Sequence, residues 1–214
     1  MYKNLEIGRS MIEMLGVLAI IGVLSVGGIT GYSKAMERFK INKTIDEIST
    51  IIANTQTLYA QQKAVSGTRI SGTAEVSYYW GKYNGFYNQT AIAADIVPPE
   101  MIKNNKIINA FNGEVILSTQ KYGDYFSLVF KNLSRNACTA LATYDWGQAI
   151  DGISAIAINE ISYFNLDRLG ACSEGTNGKM YYACKGYLPI SVTTAATYCK
   201  DNTQSTFGFL ILVE

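Results

Sequence analysis

The sequence predicts an α+β fold: a long N-terminal helical spine packed on an antiparallel-rich β-sheet, with short flanking helices. Three observations predict it. From Met14 to Ser33, 20 consecutive residues carry no charge. As a helix rising ~1.5 Å per residue, that run spans about 30 Å, the depth of a hydrocarbon core. Ile41, Ile45, Ile48, Ile52 and Tyr59 then recur at helical spacing, a stripe for one buried face. From Asn112 onward the pattern turns to strands, and all four cysteines fall between residues 138 and 199.

The helix comes first. No proline precedes Pro98, so one uninterrupted helix is expected from Ser10 to about Gln62, stopping before Gly67. Residues between the stripe positions, namely Asn42, Lys43, Asp46, Glu47, Asn54 and Gln56, are polar. Gly16, Gly22, Gly27, Gly28 and Gly31 thin the apolar half, and small residues let apolar helices approach closely. Gly27-Gly28 lowers helix propensity by ~1 kcal/mol per residue and marks an expected bend.

Ser66 to Asn88 reads as loop, with four glycines and an aromatic cluster of Tyr78, Tyr79, Trp80, Tyr83, Phe86 and Tyr87. Those rings suit packing or subunit contact. Ala91 to Lys103 reads as a short helix and turn broken by Pro98-Pro99. Glu114–Gln120 and Tyr125–Lys131 read as strands of a hairpin joined by Lys121–Asp124. Leu133–Tyr144 reads as a helix, Ile153–Ile158 as a strand and Met180–Cys184 as a weaker strand. Ser191–Cys199 reads as a helix with Ser191 as cap, and Phe207–Val213 as the closing strand.

The N-terminal run carries one carboxylate, Glu13. A secretory signal peptide has a shorter apolar core and a small-residue cleavage site. Here Lys34 to Lys43 continues a helical pattern instead. A plain membrane anchor leaves Glu13 unexplained, because a carboxylate in such a helix costs several kcal/mol and usually has a partner. Ser10-Met-Ile-Glu13 also fits a capping box, with both side chains tying up free N–H groups of the first turn.

Gly8, four further residues, Glu13 and then a continuous apolar run resemble the class III signal of type IV pilins and pseudopilins. The resemblance implies cleavage by a prepilin peptidase between Gly8 and Arg9, on the cytoplasmic side. It makes Glu13 the fifth mature residue and residues 1–8 a leader peptide. It also implies methylation of the new terminus, although Arg9 stands where the family usually has an apolar residue. Residues 9–63 are then the N-terminal helix, with 14–33 its transmembrane and filament-core half, and 64–214 the globular head. In a bundle of staggered copies Glu13 could meet the neighbour's N-terminal cation. Leaving either charge unpaired in an apolar core costs far more than pairing both, so the pair sets register.

The second half extends the resemblance to the larger type IVb pilins. Ile108-Asn-Ala-Phe-Asn-Gly-Glu-Val opens the sheet, a helix with Cys138 follows the first hairpin, and a late helix ends in Cys199 before a Phe-Gly-Phe strand. Four cysteines allow three connectivities. The resemblance implies Cys138–Cys199, bounding a region 138–199, and leaves Cys172 with Cys184.

Charge gives a conflicting orientation. Lys3 and Arg9 precede the apolar run, whereas Lys34, Arg38, Lys40 and Lys43 follow it. Positive residues alone would hold the C-terminal body in the cytoplasm. The processing resemblance and the cysteine set, which suits an oxidising compartment, favour the opposite. The expected location is the bacterial inner membrane as precursor, C-terminal domain periplasmic, and then an extracellular pilus.

Other chemistry is scarce. With no histidine and no Cys-x-x-Cys, the chain offers no His-based triad and no ordinary zinc ligand set. There is no phosphate-cradling glycine loop. Net charge is +1, so no global field argues for nucleic acid. No catalytic residue, metal or cofactor is expected, and the chain is not read as an enzyme. The expected role is a structural subunit of a type IV pilus or pilus-like filament, with copies of itself, prepilin peptidase and inner-membrane assembly machinery as partners. Adhesion and secretion are among the tasks such filaments serve. The alternatives are a pseudopilin or minor pilin of a type II secretion-like system, and a membrane-tethered periplasmic binding module that never polymerises.

Overall fold

The computed structural model describes residues 11–66, 84–119, 125–146, 150–159, 174–177, 180–200 and 205–212. The chain divides into two compact units between Phe39 and Lys40. The first unit is the apolar part of α1, a helix that runs from Met11 to Ser66. It stays helical through Gly27 and Gly28. The second unit begins inside the same helix.

In the second unit α1 lays Ile48, Ile51 and Ile52, all fully buried, against a six-stranded antiparallel sheet. Burying each such side chain stabilises by ~1.5–3 kcal/mol. The strands are β1 (Ile102–Lys103), β2 (Lys106–Ile107), β3 (Val115–Thr119), β4 (Tyr125–Leu133), β5 (Ile153–Ile158), β6 (Glu174–Asn177), β7 (Met180–Cys184) and β8 (Ser205–Leu212). The large sheet has the order β3-β4-β8-β5-β7-β6, so the last strand is central. Side chains alternate between faces. Leu128 and Phe130 of β4 and Phe207 and Phe209 of β8 enter the main core, while Val129, Ala155 and Ala157 join a smaller cluster.

The hairpin read from Glu114 to Lys131 is β3–β4, with Val115 opposite Phe130 and Thr119 opposite Phe126. Its turn lies outside the described residues. Ser134 caps α3 (Arg135–Thr143) by accepting the Ala137 N–H at 3.1 Å. Ser191 caps α4 (Val192–Tyr198) by accepting the Thr194 N–H at 3.1 Å, as the sequence suggested.

Two expectations are corrected. The stretch read as loop up to Asn88 is helical from Asn84, in α2 (Asn84–Ala93). The helix read from Ala91 instead ends at Ala93, and a 3₁₀ turn at Pro99–Met101 leads into the β1–β2 hairpin. Asn84-Gly85 has turn chemistry, and tertiary bonding overrides it. The Asn88 side chain donates to the Val115 carbonyl at 2.8 Å and accepts from the Leu117 N–H at 2.9 Å. These are the outward-facing groups of edge strand β3, so one amide takes the place of a neighbouring strand. The β1–β2 loop is Asn104-Asn105, both at positive φ, the geometry a two-residue hairpin of this hand requires. The aromatic residues Tyr78, Tyr79, Trp80 and Tyr83 lie outside the described residues.

Candidate functional site

Two places concentrate chemistry. The first is the apolar half of α1. Every large hydrophobic residue from Met14 to Ile29 is at least half exposed, from 53% at Ile21 to 75% at Val23. Apolar residues surround the helix axis, so it has no polar face to present to water. A surface of this kind requires lipid or other helices. Its hydroxyls turn inward on the backbone. Ser25 donates to the Ile21 carbonyl at 2.7 Å, Thr30 to Val26 at 3.0 Å and Ser33 to Ile29 at 2.9 Å. Bonds of this kind satisfy polar groups within the helix, as a lipid or helix-bundle environment demands. α1 is also the one described helix long and apolar enough to cross a membrane.

Glu13 lies in the first turn of α1 and is exposed. Among the described residues it has no ion-pair partner. Gly8, Arg9 and Ser10 lie outside the described residues, and so does the capping box. Among the four cysteines, Cys138 of α3 and Cys199, immediately after α4, form a disulfide with Cα atoms 5.7 Å apart. Both are fully buried, so the bridge ties the two helices inside the core. Asn159, just after β5, ties the same end of α4 to the sheet, its side chain donating to the Tyr198 carbonyl. Cys184 on β7 is also disulfide-bonded. Cys172 lies outside the described residues.

The second place escaped the sequence. Glu47, grouped with the polar residues between stripe positions, is only 4% exposed. Thr44, Glu47, Ile51 and Thr55 form a second buried row beside the isoleucine stripe. The 3–4–4 spacing of that row was the available signal, and its polar members concealed it. One Glu47 oxygen, Oε2, is buried with no hydrogen-bond partner. Burial pushes the carboxyl up to about 7, against the pull of Lys43 and of the Ala110 N–H.

Ala110 sits in a loop that its own asparagines build. The Asn109 carboxamide oxygen accepts the N–H groups of Phe111 and Gly113, both at 2.9 Å, and its nitrogen donates to the Lys131 carbonyl at 2.9 Å. Asn132 donates to the Phe111 carbonyl at 3.0 Å. A Cβ at Gly113 would stand 1.7 Å from the Lys131 carbonyl oxygen, so only glycine fits. Lys40 of α1 lies over the Phe111 ring, 5.8 Å from its centroid.

A family model described as PilS N terminal matches residues 38–212. A relative named the major structural subunit of bundle-forming pilus, from Escherichia coli O111:H-, is 28% identical, covering 96% of this chain and 93% of its own length. Its counterpart from Escherichia coli O127:H6 is 27% identical over the same shares. The crystal structure of TcpA, a type IV pilin from Vibrio cholerae El Tor biotype, aligns with a TM-score of 0.47 at 11% identity, covering 80% of this chain and 98% of that one.

Proposed function

The chain belongs to the PilS N-terminal family, and from that premise we propose that it is a structural, non-enzymatic subunit of a type IV pilus or pilus-like filament. The observation that carries the proposal is α1 itself. One helix supplies core residues to a folded head and, without a break, a naked apolar segment with a single carboxylate at its start. The pilus-subunit relatives, matched over nearly their full length, support the same reading.

On this proposal the precursor sits in the bacterial inner membrane with its head outside the cytoplasm. A prepilin peptidase cuts between Gly8 and Arg9. Assembly machinery then moves the apolar half from lipid into a bundle of identical helices, and the filament is extracellular. Glu13 receives the neighbour's N-terminal cation. Unpaired, it would cost about 3 kcal/mol at the centre of an apolar layer. Glu13→Ala should therefore leave monomer insertion intact and cut filament yield.

N-terminal sequencing of chain made with and without prepilin peptidase tests the processing step. The expected mature chain begins at Arg9 only when the peptidase is present. A chain that begins at Met1, or beyond Ser33, in both cases would overturn the assignment. A cleaved chain that never polymerises would instead make it a tethered binding module.

A further inference from the structure

We propose that Tyr32, Lys34 and Arg38 form a collar that receives anionic phospholipid headgroups where α1 leaves the outer face of the membrane. The inference rests on the membrane-inserted precursor proposed above and names the lipid class at its outer boundary.

The collar answers the charge conflict in the sequence. Lys34, Arg38, Lys40 and Lys43 follow the apolar run, and the positive-inside tendency alone would keep them in the cytoplasm. The structure divides these four. Lys40 is half-buried over the Phe111 ring, and Lys43 is half-buried too. Lys34 and Arg38 are exposed, and among the described residues neither has an ion-pair partner. Glu37, the carboxylate between them, is half-buried and has an interaction of its own.

Spacing suits the layer these cations would enter. Met14 to Ser33 spans the hydrocarbon depth, so Lys34 is the first residue beyond it. Lys34 and Arg38 are four residues apart, hence on one helix face and about 6 Å apart along the axis. The headgroup layer on each side of a bilayer is about 5–7 Å deep. One layer therefore holds both cations. Tyr32 is exposed just inside the boundary, where such a ring sets its body among acyl chains and its hydroxyl among headgroups.

Phosphate is the matching group. The Arg38 guanidinium can hold two phosphate oxygens at once, and Lys34 adds a compact charge. A zwitterionic headgroup brings its own cation, which these residues repel. The preference therefore falls on lipids whose phosphate has no internal counter-charge.

Lipid retention by the full chain tests the collar. The probe is a vesicle of phosphatidylcholine and phosphatidylglycerol in equal parts, from which the chain is purified in mild detergent and its bound lipids are weighed by mass spectrometry. Phosphatidylglycerol should be enriched, by up to about fivefold for each cation. Lys34→Gln with Arg38→Gln should lower the enrichment at least about threefold. Lys103→Gln with Lys106→Gln removes two exposed cations from the head and should leave it unchanged. Molar salt should erase the wild-type enrichment, and that arm needs no variant to fold. Equal retention of both lipids by the wild-type chain would overturn the collar, and so would an equal loss in the two double variants. An alkaline wash separates the premises. A chain that alkali strips from the vesicle overturns the membrane-inserted precursor along with the collar. An inserted chain without lipid preference overturns the collar alone, and poor polymerisation of the Lys34→Gln, Arg38→Gln chain would then assign the pair to a neighbouring subunit.

Discussion

The two halves of α1 are one helix in two solvents. From Lys40 to Leu58 one face is buried while Asn42, Asp46, Thr50, Asn54 and Thr57 are exposed, and the folded head accounts for every isoleucine in the stripe. From Met14 to Ile29 every large apolar side chain is exposed among the described residues, and so are Tyr32 and Phe39. Helicity is the same and propensity no better, since five glycines fall in the first half. The contrast separates what makes a helix from what makes it stay in place. The second half is stabilised by its own sheet, and the first half is exposed among the described residues. The measurements below strain one half and leave the other alone, from the largest expected effect to the smallest.

The head should fail first at its bridge. Cys138–Cys199 closes a sequence separation of 61 residues, worth about 4 kcal/mol on the chain-entropy view. It also joins α3 to α4 beside the closing strand. Cys138→Ala should unfold or loosen the C-terminal third and abolish filaments, while the apolar half keeps its helix in micelles. Near-ultraviolet circular dichroism reports the head and far-ultraviolet the helix. Loss of both signals together would show that the halves are not independent. Non-reducing peptide mapping of the same samples should recover Cys172 with Cys184, a pairing whose shorter loop makes its loss the milder one.

A matched pair of truncations comes next. Ile51 is fully buried and Leu18 is 61% exposed. Ile51→Ala should cost about 2–5 kcal/mol in chemical unfolding of the head. Leu18→Ala should leave that value within about 0.5 kcal/mol yet lower filament yield. If Leu18→Ala unfolds the head, the apolar half has an intramolecular role.

The same division explains what could be read in advance. Periodicity reports burial, so the isoleucine stripe, the β3–β4 hairpin and the two serine-capped helices were legible, and the 20-residue apolar run announced its environment. What stayed hidden is polar. Asn88 replaces a strand at the edge of β3, Asn104 and Asn105 form a hairpin turn, and Asn109 builds a loop. Asparagine signals turns in general, and only the folded chain decides which backbone groups it meets. Glu47 was hidden for the related reason that a charged residue between stripe positions is normally solvated. Glu13 drew attention in the sequence because the 20 residues that follow it carry no charge. The bridging partner of Cys138 came from family resemblance, since spacing alone allows three connectivities.

The smallest effect compares two hydroxyls that make the same local bond. Ser25 donates to the Ile21 carbonyl at 2.7 Å in the exposed half, and Thr55 to the Ile51 carbonyl at 2.6 Å in the buried half. Each acceptor also serves the helix backbone, so removing the hydroxyl leaves no carbonyl orphaned. Thr55→Val keeps the shape and trades one net bond for apolar contact inside the core, which should cost about 0.5–1.5 kcal/mol in head stability. Ser25→Ala removes a group that its own helix already satisfied, so monomer stability should change by less than about 0.5 kcal/mol. Filament yield should also hold, because methyl for hydroxyl keeps the surface small and apolar. A Ser25→Ala chain that inserts normally but assembles poorly would show that this hydroxyl leaves its own backbone and bonds to a neighbouring helix. The covering surface of the first half would then be polar at that point as well as at Glu13.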